Sequence, residues 1–225
     1  MHHLEAKLLD FCGFLHLSPG IVVPWLLTGF MVLFAWFGTR KLSLIPSPMQ
    51  NFLEYVCEGL ASFIGGILGH KHADEFVPFF STIFLYLVAA NVVGVIPGFK
   101  SPTSLFANCL TLALIIFFMT QYLGFKHHGI GYIKHFWGDP WWMGPLLFPI
   151  HVIGEIARPM SLTFRLFGNI MGEDLTVIVL TVAIFPLIVP LPMLCFQIFT
   201  GLIQALVFTT LSCIYFKGAL GSDEH

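Results

Sequence analysis

Three stretches without a charged side chain dominate the first 125 residues of this sequence: Leu17 to Thr39, Phe76 to Phe99 and Ser101 to Phe125. Each exceeds the roughly 20 residues that a helix needs to cross about 30 Å of hydrocarbon. Inside a bilayer the backbone must satisfy its own hydrogen bonds, and helices do so within a single segment. Composition points the same way, with 57% hydrophobic and only 10% charged residues and a mean hydropathy of +0.87. A water-facing domain carries about 25% charged residues, so no soluble domain is expected. The chain reads as an all-α, polytopic protein forming one membrane domain over residues 1–225. Five cysteines, Cys12, Cys57, Cys109, Cys195 and Cys213, are scattered and mostly within apolar runs. They read as small hydrophobes, without disulfide or zinc spacing. Ahead of the first run, Glu5 and Asp10 face a single Lys7, unlike the basic start of a cleavable leader.

Lysine and arginine placement orients the spans. Arg40-Lys41 follows the first run, and Lys126 to Lys134 follows the third, whereas only Lys100 separates the second from the third. The basic segments belong in the cytoplasm, which leaves the N-terminus outside and the C-terminus, near Lys217, cytoplasmic. Trp137, Trp141 and Trp142 are placed as interfacial anchors. The second and third runs, 76–99 and 101–125, form a tight helical hairpin. Between the first and second, residues 47–69 repeat Leu53, Val56, Leu60, Phe63, Ile64 and Ile67 at helical spacing, with Gln50, Glu54 and Glu58 marking another face. Ser47 and Pro48 fit a helix start. Two glutamates argue against a crossing, and the segment reads as an amphipathic helix at the interface.

The last third, 145–217, reads as a pair of long, tilted helices. From Pro145 to about Ile188 the helical pattern is interrupted only by Pro149, Pro159 and, near its end, Pro186. That is roughly 40 residues, or about 60 Å of helix, twice the hydrocarbon thickness. A proline-dense stretch to Pro192 breaks it, and a partner helix runs from about Met193 to Lys217. These complete five membrane-embedded helices.

The first of the pair sets Glu155, Arg158, Arg165, Asn169, Glu173 and Asp174 in apolar sequence. An arginine at mid-membrane costs about 2.5–3.5 kcal/mol on insertion scales, which makes it a functional candidate by default. Arg165, Asn169 and Glu173 are spaced i, i+4, i+8 and climb one face, with Asp174 nearly opposite. On the partner helix Gln197 and Gln204 lie one heptad apart, where Gln204 is placed to hydrogen-bond a buried Arg165 guanidinium. Gly168 and Gly172 would let another helix approach closely. A structural reading competes: arginine can pair with Glu155 or Glu173 to tie helices together, and Glu155 with Arg158, at i, i+3, can satisfy itself near the interface. His70 and His72 with Asp74 and Glu75, and His127-His128, lie in expected aqueous loops without a complete metal-ligand set. No phosphate loop or nucleotide motif is present, and no basic patch suits nucleic acid. No cofactor is expected.

The run Arg158-Pro159-Met160-Ser161-Leu162-Thr163-Phe164-Arg165-Leu166-Phe167-Gly168-Asn169 resembles the signature of subunit a of F-type ATP synthases, close to (K/R)PxSLxxRLFGN. Glu173-Asp174-Leu175, the Gln197 to Phe208 segment, and Asn91 to Gly98 at the end of the second span are similar to that family as well. The resemblance implies a non-catalytic subunit that conducts an ion, protons first, between two half-channels and a rotating c ring. Subunit b or an equivalent stalk and membrane lipid are the other implied partners, and a bacterial inner membrane the location. In this reading Arg165 matches the family's essential arginine. Arginine stays protonated at any accessible pH, so it draws the ion off a ring carboxylate and blocks a direct leak. Asp174 falls where the family often has glutamate, Gln197 where some relatives have histidine or glutamate, and Gln204 at a glutamine near the arginine. Asn108 matches a third-span asparagine, but the acid often found near it is missing here. A stand-alone secondary ion transporter is the alternative, although it would ordinarily show inverted repeats, and none is seen. A structural anchor is a third, under which Arg165 would be replaceable.

Overall fold

The structure, a computed structural model, describes residues 19–40, 48–96, 101–129, 144–183 and 190–220. Within them lie six α-helices: α1 (Pro19–Thr39), α2 (Pro48–Leu68), α3 (His70–Val95), α4 (Phe106–His128), α5 (Gly144–Ala183) and α6 (Pro190–Leu220). A short 3-10 turn, Pro102–Ser104, precedes α4. No strand occurs among the described residues. Four helices are long and apolar enough to cross a membrane, over Val22–Thr39, Asp74–Val95, Phe106–His127 and Pro192–Leu220. The long α5 carries five charged side chains, Glu155, Arg158, Arg165, Glu173 and Asp174, and packs against α4 and α6. The chain is an all-α, multi-pass membrane protein.

Local chemistry explains where the elements differ from the expected bounds. The second span begins earlier, because α2 and α3 are joined by Gly69 alone. Its φ of +86° is open to glycine and strained for other residues, and its N–H closes α2 on the Gly65 carbonyl at 2.9 Å. The residues from His70 to Glu75, expected in an aqueous loop, are the first turns of α3. Its end comes earlier, at Val95, because Ile96 precedes Pro97 and takes extended backbone. The third span does not start at Ser101. The Ser101 side chain caps the 3-10 turn by accepting from the Thr103 N–H, and α4 begins only at Phe106. Ser101, Pro102 and Thr103 are buried, so this non-helical backbone is shielded by protein.

Pro149 and Pro159 do not interrupt α5, which runs continuously for 40 residues, about 60 Å. Pro190 and Pro192 fall in the first turn of α6, where a missing N–H breaks no helical bond. Residues 17–18, 47, 97–100 and 184–189, with Trp137, Trp141 and Trp142, lie outside the described residues.

The core joins α2 through α6. Leu60, Ile64 and Leu68 of α2 meet Phe76, Phe80, Ile83 and Leu87 of α3, with Ala205, Phe208, Cys213, Phe216 and Leu220 of α6 in the same cluster. Phe216 takes the Phe80 ring edge-on at 4.8 Å and the Phe76 ring at 5.6 Å, geometries that favour aromatic pairs. The amphipathic α2 therefore packs on two helices through its apolar stripe, leaving Glu54, Tyr55 and Glu58 exposed. By contrast, α1 is peripheral: Leu27 is its one buried hydrophobe among the described residues, while Trp25, Phe30, Trp36 and Phe37 are exposed.

Candidate functional site

The acidic and basic side chains of α5 sort into two groups with Arg165 between them. At the end of the bundle marked by the Lys126–Glu75 ion pair, Glu155 Oε1 is 2.6 Å from Arg158 Nη1, and Gln121 Nε2 of α4 donates to Glu155 Oε2 at 2.8 Å. The Arg158 guanidinium lies 5.2 Å from the Tyr215 ring centroid of α6, within cation–π range. The i, i+3 pairing read from the sequence is present, and it joins three helices. Gln121 and Tyr215 were not singled out there, because neither spacing nor charge marks them.

The second group occupies the opposite side of Arg165. Asn169 Nδ2 donates to Glu173 Oε1 at 2.9 Å, and the Thr200 hydroxyl of α6 donates to the same oxygen. Gln197 Nε2 points at Asp174 Oδ1 at 3.4 Å. Glu173, Gln197 and Gln204 are buried, whereas Asn169 and Asp174 are half-buried. Burial of this many polar groups is tolerated because they satisfy one another. Gln204 is the exception: only 7% exposed, its Nε2 has no hydrogen-bond partner among the described residues.

A further polar patch lies close by. Asn91 Nδ2 of α3 donates to the Gly201 carbonyl at 2.9 Å, and Asn91 Oδ1 faces Thr103 Oγ1 at 3.4 Å. The Ser101 and Thr103 hydroxyls are 2.6 Å apart. Asn108 Nδ2 donates to the Pro102 carbonyl at 2.7 Å, which ties Asn108 to the turn. Phe106, just after the turn, packs on Phe164 and Phe167 of α5 at 5.8 and 5.6 Å.

Two expectations about Arg165 need correction. It is not buried but exposed, and it forms no hydrogen bond or ion pair among the described residues. The expected Gln204–guanidinium bond is therefore absent. Nor do Arg165, Asn169 and Glu173 share one environment. At about 100° per residue each i+4 step rotates by about 40°, so the row turns from an exposed Arg165 through Asn169 to a buried Glu173 facing α6. Around Arg165 the exposed surface is apolar or small: Phe164, Gly168, Met171, Gly172 and Leu175. Neither Gly168 nor Gly172 has an atom within 4 Å of where a Cβ would stand. Among the described residues no cluster of three or more metal-ligating side chains occurs.

Polar groups that pair with one another through the depth of an apolar helical bundle, and an arginine left facing outward, define a polytopic membrane protein with a charge-bearing intramembrane surface. Sequence comparison makes the assignment specific. The sequence model of the ATP synthase A chain family matches residues 21–217, and this chain belongs to that family. It is 39% identical over 212 residues to ATP synthase subunit a of Desulfosudis oleivorans, covering 94% of this chain and 92% of the relative. To ATP synthase subunit a of Trichlorobacter lovleyi it is 40% identical over 210 residues, 92% and 90% of the two chains. The Helicobacter hepaticus subunit a is 35% identical over 225 residues, 98% of this chain and 99% of the relative.

Proposed function

We propose that this chain is the stationary, ion-conducting partner of a rotating c ring in an F-type ATP synthase, with protons as the ion. The observation that carries the reading is Arg165: a permanent cation at mid-length of α5, exposed and unpaired among the described residues, on a face that other side chains leave apolar. An unpaired arginine facing lipid would be costly. A carboxylate arriving on a second helix would compensate it, and Gly168 and Gly172 leave room for that helix to come close.

The flanking groups supply the two half-channels. On one side the path runs by Gln121, Glu155 and Arg158. On the other it runs by Asp174, Glu173, Asn169 and Gln197, with Gln204 and Asn108 on the walls. A ring carboxylate takes up the ion in one half-channel, rotates, and meets Arg165, which favours its charged form and releases the ion to the other. The guanidinium also closes the direct route between half-channels, so charge crosses only as the ring turns. Each crossing is worth about 2.3 kcal/mol per 100 mV, and several must be summed for one ATP. By the placement of basic residues the Glu155 side is cytoplasmic and the Glu173 side external, in a bacterial inner membrane. Subunit b or an equivalent stalk holds the chain against the ring's drag.

The test is Arg165→Ala in the assembled complex, with ATP synthesis and ATP-driven ion pumping measured beside the amount of complex. The expected result is normal assembly with both activities lost. Coupled transport that survives in an intact complex would make Arg165 structural and end the proposal.

A further inference from the structure

We infer that Thr200 is a positioning residue of the ion path, pinning one oxygen of Glu173 so that ion exchange takes place on the other, and that Asn91 seats Thr200 through Gly201. The inference rests on the ion-path reading of Glu173 given above. Two donors converge on Glu173 Oε1: Asn169 Nδ2 from the same helix at 2.9 Å and the Thr200 hydroxyl from α6. Glu173 Oε2 makes no hydrogen bond among the described residues. A carboxylate held in this way has a fixed orientation and one free oxygen. A proton that arrives from water binds Oε2 and leaves from it, while Oε1 keeps its two donors throughout.

The Thr200 hydroxyl has a single proton and three acceptors in range. The Phe196 carbonyl is 3.0 Å away and the Gln197 carbonyl 3.1 Å, with Glu173 Oε1 nearer than either. Which one it serves depends on how closely α6 is held to α5, and Asn91 acts on that spacing. Its side chain donates to the carbonyl of Gly201, the residue next to Thr200. It can do so only because Gly201 has no side chain: a Cβ there would stand 2.8 Å from Asn91 Cβ and 3.2 Å from Nδ2. Asn91 is 6% exposed, so solvent does not compete for the bond. The charged group that bears on Glu173 is Asp174, next to it on the same helix. The charged residues of α4 and α6, Lys126 and Lys217, lie at the opposite end of the bundle along with His127 and His128.

The experiment uses the assembled synthase in inverted membrane vesicles, reading ATP-driven pumping and ATP synthesis per complex. Thr200→Val keeps the shape and removes the donor. A hydrogen bond to a charged group is worth about 1.5 kcal/mol or more, so pumping should fall about tenfold, and Thr200→Ser should restore it. Asn91→Leu should lower pumping as well, and adding it to Thr200→Val should cost little more, as expected for residues acting through one bond. Wild-type pumping in Thr200→Val, or a loss in Thr200→Ser as deep as in Thr200→Val, would overturn the role of the hydroxyl. Fully additive losses would overturn the role of Asn91. Should Thr200→Val fail to assemble, Thr200→Ala is read by the same criteria. Arg165→Ala, run in parallel, separates the two ideas: pumping there sinks the ion-path reading itself. Its loss there, with Thr200→Val unaffected, sinks only the assignment of Thr200.

Discussion

Glu155 and Glu173 stand on the same side of α5, five helical turns apart (173 − 155 = 18 residues at 3.6 per turn), and each is held by a different neighbouring helix. Glu155 takes its outside donor from Gln121 of α4 and Glu173 from Thr200 of α6. Arg165 falls between them and is turned about 80° away, onto the exposed face. The two acids are therefore separated from each other by the arginine and open to different parts of the bundle.

Replacing Glu173 by glutamine keeps the hydrogen-bonding shape and removes the exchangeable proton. A positioned proton-transfer group contributes about 10²-fold or more, so ATP-driven pumping in vesicles should fall by about that factor with normal amounts of complex. Unchanged pumping would remove Glu173 from the path.

Two glycine substitutions should separate the inside of the fold from its outer face. Gly201→Ala drives a methyl into Asn91, and overpacking of this kind costs about 1–3 kcal/mol. The purified complex should lose this subunit at lower temperature. Gly168→Ala meets nothing within the chain, so thermal stability should hold; on the proposed reading pumping should fall, because the added methyl would stand in the way of an approaching ring helix. Equal behaviour of the two variants would contradict the packing described.

Gly69→Ala tests the joint between α2 and α3. No atom lies within 4 Å of the added Cβ, so the penalty is backbone strain at φ +86°, about 1–3 kcal/mol. Thermal dissociation of the complex in detergent should reveal a modest loss, with pumping at low temperature unaffected. A fully wild-type melting profile would mean that the joint tolerates side chains.

Arg158→Ala leaves Glu155 with Gln121 alone. Because the Arg158 side chain is 41% exposed, the stability cost should be small, at most about 1 kcal/mol. Tyr215→Leu, which removes the cation–π contact, should cost about as much or less. A much larger loss from either, read by thermal dissociation, would show that this cluster is a main tie between α4, α5 and α6.

The helices were legible because charge-free runs and the spacing of Leu60, Ile64 and their neighbours leave few other folds. The ends were less so, since they depend on single residues acting through geometry. Gly69 joins two helices without a loop, and Ser101 with Pro102 makes a buried turn inside what reads as one uniform apolar run. At the site, the polar row on α5 announced itself by the cost of charge in lipid. Its inward rotation did not, because a periodicity of four reads as one face until the accumulated 40° steps meet a neighbour. Thr200 and Asn91 were missed as site residues for the opposite reason. A threonine and an asparagine in apolar helices commonly bond their own backbone or one neighbour, and only the approach of α6 to α5 and α3 gives them these partners.

The light packing of α1 bears on how the protein is made. Ribosomes release this helix before any other described here, yet the core is built from α2 through α6, and α1 touches chiefly α3, α2 and the turn at Pro102–Ser104. This helix therefore waits as a solitary apolar rod while α2 through α6 are synthesised. Its place at the rim of the bundle is taken only once those later segments have arrived.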